Sequence, residues 1–491
     1  MTMTNPTILL LSCYELGHQP LSLAWPLAAL EAAGLAAGRE VAAVDLAIDP
    51  FPAEPARTAR LVAIAAPMHT ALRIGVDAAQ RVRQINPGAH ICFYGLYAWL
   101  NRDYLLRAGL ADSLLAGEYE DALVQLALDP HAACGLRGDE ILAVEDEPYA
   151  ANQVRNGATP PILRRLALPL PQRDELGGLN RYARYIDACG PKLAGYVEAT
   201  RGCLHTCRHC PLTPVYGGRL FAVPQELVLE DIRRQVAAGA QHITFGDPDF
   251  LNGPKHSLRI ARRLHAEWPA LTFDFTAKVE HLLEQAALLP ELVDCGATFV
   301  VSAFESTSDR VLTKLDKGHT LRDMEAALAV LRSAGLQPQP TWLPFTPWTT
   351  LDDYLHLLGW IRAQGLVANT PAVQLSIRLL IPPDSALLPQ EDGLSSFQGR
   401  SSSSPERSPD WLRELDAPNF GWRWEHPDPR MDQLQAQVAA LAEAASDDDP
   451  YPAFAQIEAA AYAGAGRTPP PPLHAPAGAV APPRLSEHWF C

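Results

Sequence analysis

The sequence predicts an α/β protein, with a doubly wound parallel domain followed by a partial parallel barrel. Two regions, residues 7 to about 128 and about 191 to 390, alternate short apolar runs with amphipathic helical stretches. A connector of mixed composition and no sustained period separates them. The second region opens on three closely spaced cysteines, Cys203, Cys207 and Cys210.

In the first region TILLLSC leads into an Ala/Leu helix, and EVAAVDLA, LVAIAAPMH, HICFYGLYA and DSLLAGEYE follow. Apolar strands separated by helices make a parallel sheet covered on both faces. Ligands of such sheets sit beyond the strand ends, here Cys13–Pro20, Pro67–Thr70, Gly95–Ala98 and Gly117–Glu120. This domain spans 1–128 and the connector 129–190. YVEATRGC, HITFGD, LTFDFTAK, FVVSAFES, PTWLPF and VQLSIRLL then supply six strands over 191–390. Helical stretches such as LRDMEAALAVLRSAG separate them, which predicts a partial (βα)6 TIM-type barrel working at its strand C-termini. Residues 391–465 hold a serine-rich loop and a helical region. Trp422, Trp424 and His426 there read as a plug on the barrel's open side rather than a lid. Residues 466–491 are proline-rich and read as an extended tether ending at Cys491.

Composition narrows the partners. Forty Lys plus Arg against 56 Asp plus Glu give a net charge of −16, which argues against a nucleic-acid backbone. The most apolar stretch, LSLAWPLAALEAAGLAAG, is interrupted by Pro26, Glu31 and Gly34, so no membrane span is expected. The opening MTMTNPTILLLSC has no positive n-region, which points to the cytoplasm and reduced thiols.

Cys-x3-Cys-x2-Cys suits a cubane iron–sulfur cluster, where three protein sulfurs for four irons leave one iron open. The competing arrangement is zinc on Cys203, Cys207, Cys210 and either His205 or His209, in a non-catalytic binding protein. Structural zinc sites usually draw on two separated ligand pairs, and the chain has no second Cys-x2-Cys. The other cysteines, at 13, 92, 134, 189, 295 and 491, are scattered, so a second cluster is not expected.

The run RGCLHTCRHCP resembles the signature of the radical SAM enzymes. The resemblance implies a [4Fe–4S] cluster whose open iron is chelated by S-adenosylmethionine (SAM), and electron transfer that splits a carbon–sulfur bond. The family usually carries an aromatic before the last cysteine, near the adenine; His209 holds that place here. FGDPDF resembles the Gly-Gly-Glu-type motif that binds the SAM aminium, with Gly246 and Asp247 matching and Phe245 replacing the first glycine. Its alternative is ordinary turn chemistry after a strand. SAFESTSDRVLTKLDKGHT resembles the Glu-Ser-x2-Asp segment of cobalamin-type and related radical SAM proteins. By that resemblance Glu305 reaches the ribose hydroxyls or amino group; Lys317 follows the short helix after it, where a cation could meet the cofactor carboxylate. The competing reading of Lys317 is a solvated surface lysine. Lys278 and Glu280 project from the third strand's end, and Arg378, in an apolar strand, needs an anionic or carbonyl partner.

The first domain resembles the Rossmann-like, cobalamin-binding-type domain that often precedes a radical SAM core. Its first loop departs from Asp-x-His-x2-Gly: His18 lies in ELGHQP without the aspartate or the glycine. Cobalamin without a histidine ligand and a fold without cobalamin both stay open. The implied activity is radical chemistry on a small molecule, with hydrogen abstraction as the default and a reductant such as flavodoxin or ferredoxin. Methyl or aminocarboxypropyl transfer, including to a soft element such as arsenic or selenium, is the alternative. No substrate-contacting catalytic residue is identified. Residues 483–491 resemble the ending of a radical SAM group whose tails finish Cys-Cys-Ala-Glu-Pro or Cys-selenocysteine-Ala-Glu-Pro. A selenocysteine codon is ordinarily read as a stop, so the expectation is a chain continuing past Cys491. A vicinal thiol–selenol there would suit a soft ligand or redox work.

Overall fold

The structure, a computed structural model, describes residues 6–129, 161–388, 409–446, 449–476, 478 and 480–487. Cys134, most of the serine-rich run and Cys491 lie outside the described residues.

The first sheet contains β1 (Ile8–Ser12), β2 (Val41–Asp45), β3 (Leu61–Ala65), β4 (His90–Tyr94) and β5 (Ser113–Leu115). All pairs are parallel, in the order β2-β1-β3-β4-β5. Alternate residues serve opposite faces. Leu9, Leu11, Val62, Ile64 and Phe93 pack on the helix His69–Ile85, whereas Ile8, Leu10, Leu61 and Tyr94 pack on Leu21–Ala32 and Glu120–Leu128. Burial on both faces is why these strands read as unbroken apolar runs. Pro26 sits inside the helix Leu21–Ala32 and cannot donate to the Ser22 carbonyl; the Tyr94 hydroxyl donates there instead, at 2.7 Å.

The core follows as β6 (Arg184–Asp187), β7 (Gly190–Val197), a hairpin of β8 (Thr200–Gly202) and β9 (Leu220–Ala222), then β10 (His242–Phe245), β11 (Thr272–Thr276), β12 (Ala297–Glu305) and β13 (Gln337–Trp342). A second hairpin joins β14 (Leu412–Asp416) and β15 (Gly421–Trp424), and β16 (Arg484–Leu485) ends the series. The large sheet runs β13-β12-β11-β10-β7-β6-β16, with β7 and β10 to β13 parallel. It curves into a nearly closed barrel, as expected. The first core strand is preceded by an antiparallel partner, β6, which lies within the stretch read as connector. The sixth expected strand, VQLSIRLL, is a 3-10 turn at Ala372–Leu375 followed by a single bridge, Phe345 to Arg378. The Gln374 side chain accepts the Trp342 N–H at 2.9 Å, replacing a ladder bond with a side-chain bond.

The tail is more than a tether. Once the prolines stop, Leu485 pairs with Tyr185, and the Ser486 N–H donates to the Arg184 carbonyl at 2.8 Å. The Gln339 amide of β13 donates to the Pro483 carbonyl at 2.9 Å, so the tail bridges both sheet edges. Tyr14 of the first domain donates to Glu487. Because β16 and β7 are both antiparallel to β6, the tail runs in the same sense as the barrel strands.

Arg378 finds a structural carboxylate, Asp432 at 2.6 Å, and stacks 3.6 Å from the Trp424 ring centre. Trp424 is buried and donates to the Leu379 carbonyl, and His426 meets the Thr349 carbonyl at 2.9 Å. The Trp424 contacts tie β15 onto Arg378 and Leu379, and His426 ties the turn after β15 to Thr349. Among the described residues, no helix is long and apolar enough to cross a membrane.

Candidate functional site

The cysteine loop leaves β8 at the C-terminal end of the barrel. Gly202 has φ +77, and a Cβ there would stand 2.3 Å from the Arg219 carbonyl oxygen, so glycine is required. Just before it, buried Arg201 pairs with Glu198 (2.7 Å), Glu118 (3.1 Å) and Glu120 (2.7 Å). Two of these carboxylates come from the exit of β5, so the loop's root is bolted to the first domain.

Within the loop, the Cys207 carbonyl accepts the Cys210 N–H (3.1 Å) and the Thr213 hydroxyl (2.9 Å), a turn that holds these two cysteines close. The Cys203 sulfur accepts the His205 N–H and an Asn252 side-chain N–H, each at 3.5 Å. The described cysteines 13, 92, 189 and 295 belong to other elements and form no disulfide. Burial pushes the Cys210 thiol up to about 12, so a bound metal, not solvent, is what would ionise it. Three thiols in one loop, one already supplied with two N–H donors, fit a cubane cluster with one open iron. Both rival zinc ligands point to partners of their own: His205 to His281 and His209 to Glu305.

Three of the residues expected around the cofactor converge. Glu305, at the end of β12, lies 3.3 Å from His209 and 3.1 Å from Lys317. Lys317 is buried, unlike a solvated surface lysine. Burial favours a neutral Glu305, but the Lys317 charge and His209 override it and bring the carboxyl down to about 2. Glu305 also has φ +63, in the left-handed region that costs a non-glycine residue roughly 1–3 kcal/mol.

Gly246 and Asp247 each have a close contact within the fold. A Cβ on Gly246 would meet the Tyr196 hydroxyl at 2.3 Å, so the glycine serves packing. The Asp247 carboxylate is fully buried and accepts the Ala199 N–H (2.9 Å) and the Thr200 hydroxyl. Burial raises it to about 7. Its side chain braces the link from β7 to β8, because two donors await it there.

Sequence reasoning missed the next acid in the same motif. Asp249 is buried and accepts from the Leu251 N–H, the Lys278 N–H and His281 Nδ1, the last at 2.7 Å. Burial opposes a charged His281, but the bond to Asp249 raises its pKa. His281 Nε2 lies 3.1 Å from His205 Nε2. Lys278 and Glu280 pair at 3.3 Å beside Gly318. The second aspartate of FGDPDF and a histidine in the cysteine run were the available signals.

His18 does not stand free for cobalt. It is buried and stacks on Tyr196, rings 4.3 Å apart and 5° from parallel, in the wall of the barrel lumen.

Residues 197–352 match the family model described as the Radical SAM superfamily. Among solved structures, the chain is similar to TsrM, a radical S-adenosylmethionine methyltransferase from Kitasatospora setae with cobalamin and a [4Fe–4S] cluster bound. That match has 16% identity over 73% of this chain and 70% of the other, TM-score 0.53. It is also similar to the cobalamin-dependent S-adenosylmethionine radical enzyme OxsB with aqua-cobalamin and S-adenosylmethionine bound. There the identity is 14%, coverage 88% and 66%, and TM-score 0.63. At these identities the likeness is one of fold. No curated protein matches the sequence significantly.

Proposed function

We propose, from the premise that residues 197–352 form a radical SAM domain in an enzyme using a [4Fe–4S] cluster and SAM, that this protein starts radical chemistry on a small-molecule substrate. The observation that carries the reading is the thiol triad at the barrel mouth with His209, Glu305 and Lys317 gathered beside it. A reduced cluster held by Cys203, Cys207 and Cys210 supplies the electron that splits a carbon–sulfur bond of SAM. In this reading His209 faces the adenine, Glu305 takes the ribose hydroxyls or amino group, and Lys317 balances Glu305 and draws in the SAM carboxylate. The Asp247 side chain is occupied, so backbone carbonyls around Gly246 serve the aminium. A flavodoxin or ferredoxin delivers the electron, nucleic acid is not a partner, and the enzyme works in the cytoplasm.

Anaerobic reconstitution followed by product analysis tests this. The expected result is about four irons per chain and 5′-deoxyadenosine from SAM. Accumulation of 5′-methylthioadenosine would overturn the default cleavage, and a colourless zinc protein would overturn the whole reading.

Methyl transfer with cobalamin is the second reading. It is favoured by a fold likeness to TsrM and OxsB that extends beyond the barrel, across up to 88% of the chain in the two matches above. Tyr196 holds His18, so cobalt here would lack a histidine ligand from that loop. Absorbance of bound cobalamin and formation of S-adenosylhomocysteine are its signatures. The selenocysteine-tail group remains a separate proposal resting on residues 483–491 alone; a TGA codon after Cys491 followed in frame by Ala-Glu-Pro is the test.

A further inference from the structure

We propose that Asp249, His281 and His205 form a hydrogen-bonded relay that positions the cluster loop and fixes an N–H donor on the Cys203 sulfur. This rests on the radical SAM reading, since it concerns how the chain holds its cluster.

Hydrogen bonds tie the relay together. Asp249 Oδ2 accepts the His281 Nδ1 proton at 2.7 Å, which orients the ring and aims its Nε2 at His205. His205 Nε2 lies 3.1 Å from it, one imidazole donating and the other accepting. At the far end, Asp249 is immobile: it is fully buried and takes the N–H groups of Leu251 and Lys278 as well. The chain therefore runs from the loop after β10 and the short helix Val279–Glu284 after β11 into the cysteine loop. It ends on the residue between Cys203 and Cys207 whose backbone N–H points at Cys203 Sγ, 3.5 Å away.

Asn252, from the same loop as Asp249, makes the second N–H contact with that sulfur and accepts the Leu204 N–H at 3.4 Å. One loop thus grips Cys203 directly through Asn252 and indirectly through two imidazoles. Hydrogen bonds to cluster sulfurs raise the reduction potential by stabilising added negative charge. An outer partner that orients a group beside a metal site commonly matters nearly as much as the ligand itself. Neither His281 nor Asp249 touches a cysteine sulfur, so both act as positioning residues.

The test uses the full chain, anaerobically reconstituted, as wild type, His281→Ala, His281→Gln and Asp249→Asn. Cluster midpoint potential and the EPR spectrum of the reduced cluster, with and without SAM, are the readouts. Wild type and His281→Gln are expected to bind about four irons and give similar potentials. The glutamine amide can accept from His205 and donate to Asp249. His281→Ala is expected to shift the potential downward and broaden the EPR signal, and Asp249→Asn to do so less. Loss of iron in His281→Ala alone, with retention in His281→Gln, supports the relay equally.

Identical potentials and spectra across all four proteins overturn it, as does a His281→Gln protein no closer to wild type than His281→Ala. Added cobalt(II) giving a d–d spectrum in wild type that disappears in His281→Ala would instead make the imidazole pair a metal site. Wild-type protein that takes up no iron overturns the radical SAM reading along with the relay. Iron in every form with unchanged potentials overturns the relay alone.

Discussion

The Lys317 ammonium stands 3.1 Å from the Glu305 carboxylate, and both are buried at the strand end nearest the cysteine loop. Glu305 is held there with φ +63. A strained backbone persists only where surrounding contacts over-determine it. Here they are Lys317, His209 and the Leu343 N–H that donates to the Glu305 carbonyl at 2.9 Å.

Removing one partner of a buried pair leaves the other uncompensated. Lys317→Met is expected to cost about 3–5 kcal/mol in denaturant unfolding and to abolish SAM binding. Lys317→Met together with Glu305→Gln should recover part of that stability without recovering SAM binding. Equal stability of the single variant and wild type would show that the pair carries no net interaction.

Each of Cys203→Ala, Cys207→Ala and Cys210→Ala is expected to lose nearly all cluster iron after reconstitution, since three thiolates are already the minimum for a site-differentiated cubane. Cys189→Ala and Cys295→Ala should keep it. Iron content and the brown absorbance of the cluster report both results.

Asp247 should make stability fall as pH rises. Burial lifts its folded pKa from 3.8 to about 7, so the protonated side chain is favoured in the folded protein. Its contribution is complete below pH ~4 and fades as pH climbs toward about 7, by at most ~1.4 kcal/mol per pH unit. Asp247→Asn, with its amide turned to donate to Thr200, should flatten that slope. Unfolding free energies from pH 4 to 8 measure it, and parallel curves for the two proteins would contradict the assignment.

The tail strand should be the loosest part of the barrel wall. Gln339→Ala removes the bond to the Pro483 carbonyl, and Tyr14→Phe the bond to Glu487. Each is expected to cost about 0.5–1.5 kcal/mol of local stability. The Ser486 amide, bonded to Arg184, should then exchange with deuterium faster by roughly 2- to 10-fold, with the β10–β12 amides unchanged.

The two parallel regions, the cysteine triad and the motifs carrying His209 and Glu305 were legible because their signals are local, while the contact of those two residues with Lys317 was not. Strands buried on both faces read as unbroken apolar runs, and the triad spans eight positions in one loop. The fate of individual polar groups was not legible. Asp247 and Asp249 stand two residues apart in one motif, yet one turns into the β7–β8 link and the other toward His281. The His18 ring stacks on Tyr196, and the tail found β6 and β13 instead of solvent.

Sequence alone therefore determined most of the parallel strands and the position of the cysteine triad, because apolar runs and thiol spacing are properties of neighbours. Only the tertiary structure decided the partners of Asp249, His281, Glu118 and Glu487. Each buried polar group must find a donor or acceptor, and those partners are 32, 76, 83 and 473 residues apart in the chain, brought together by the packing of the strands and loops.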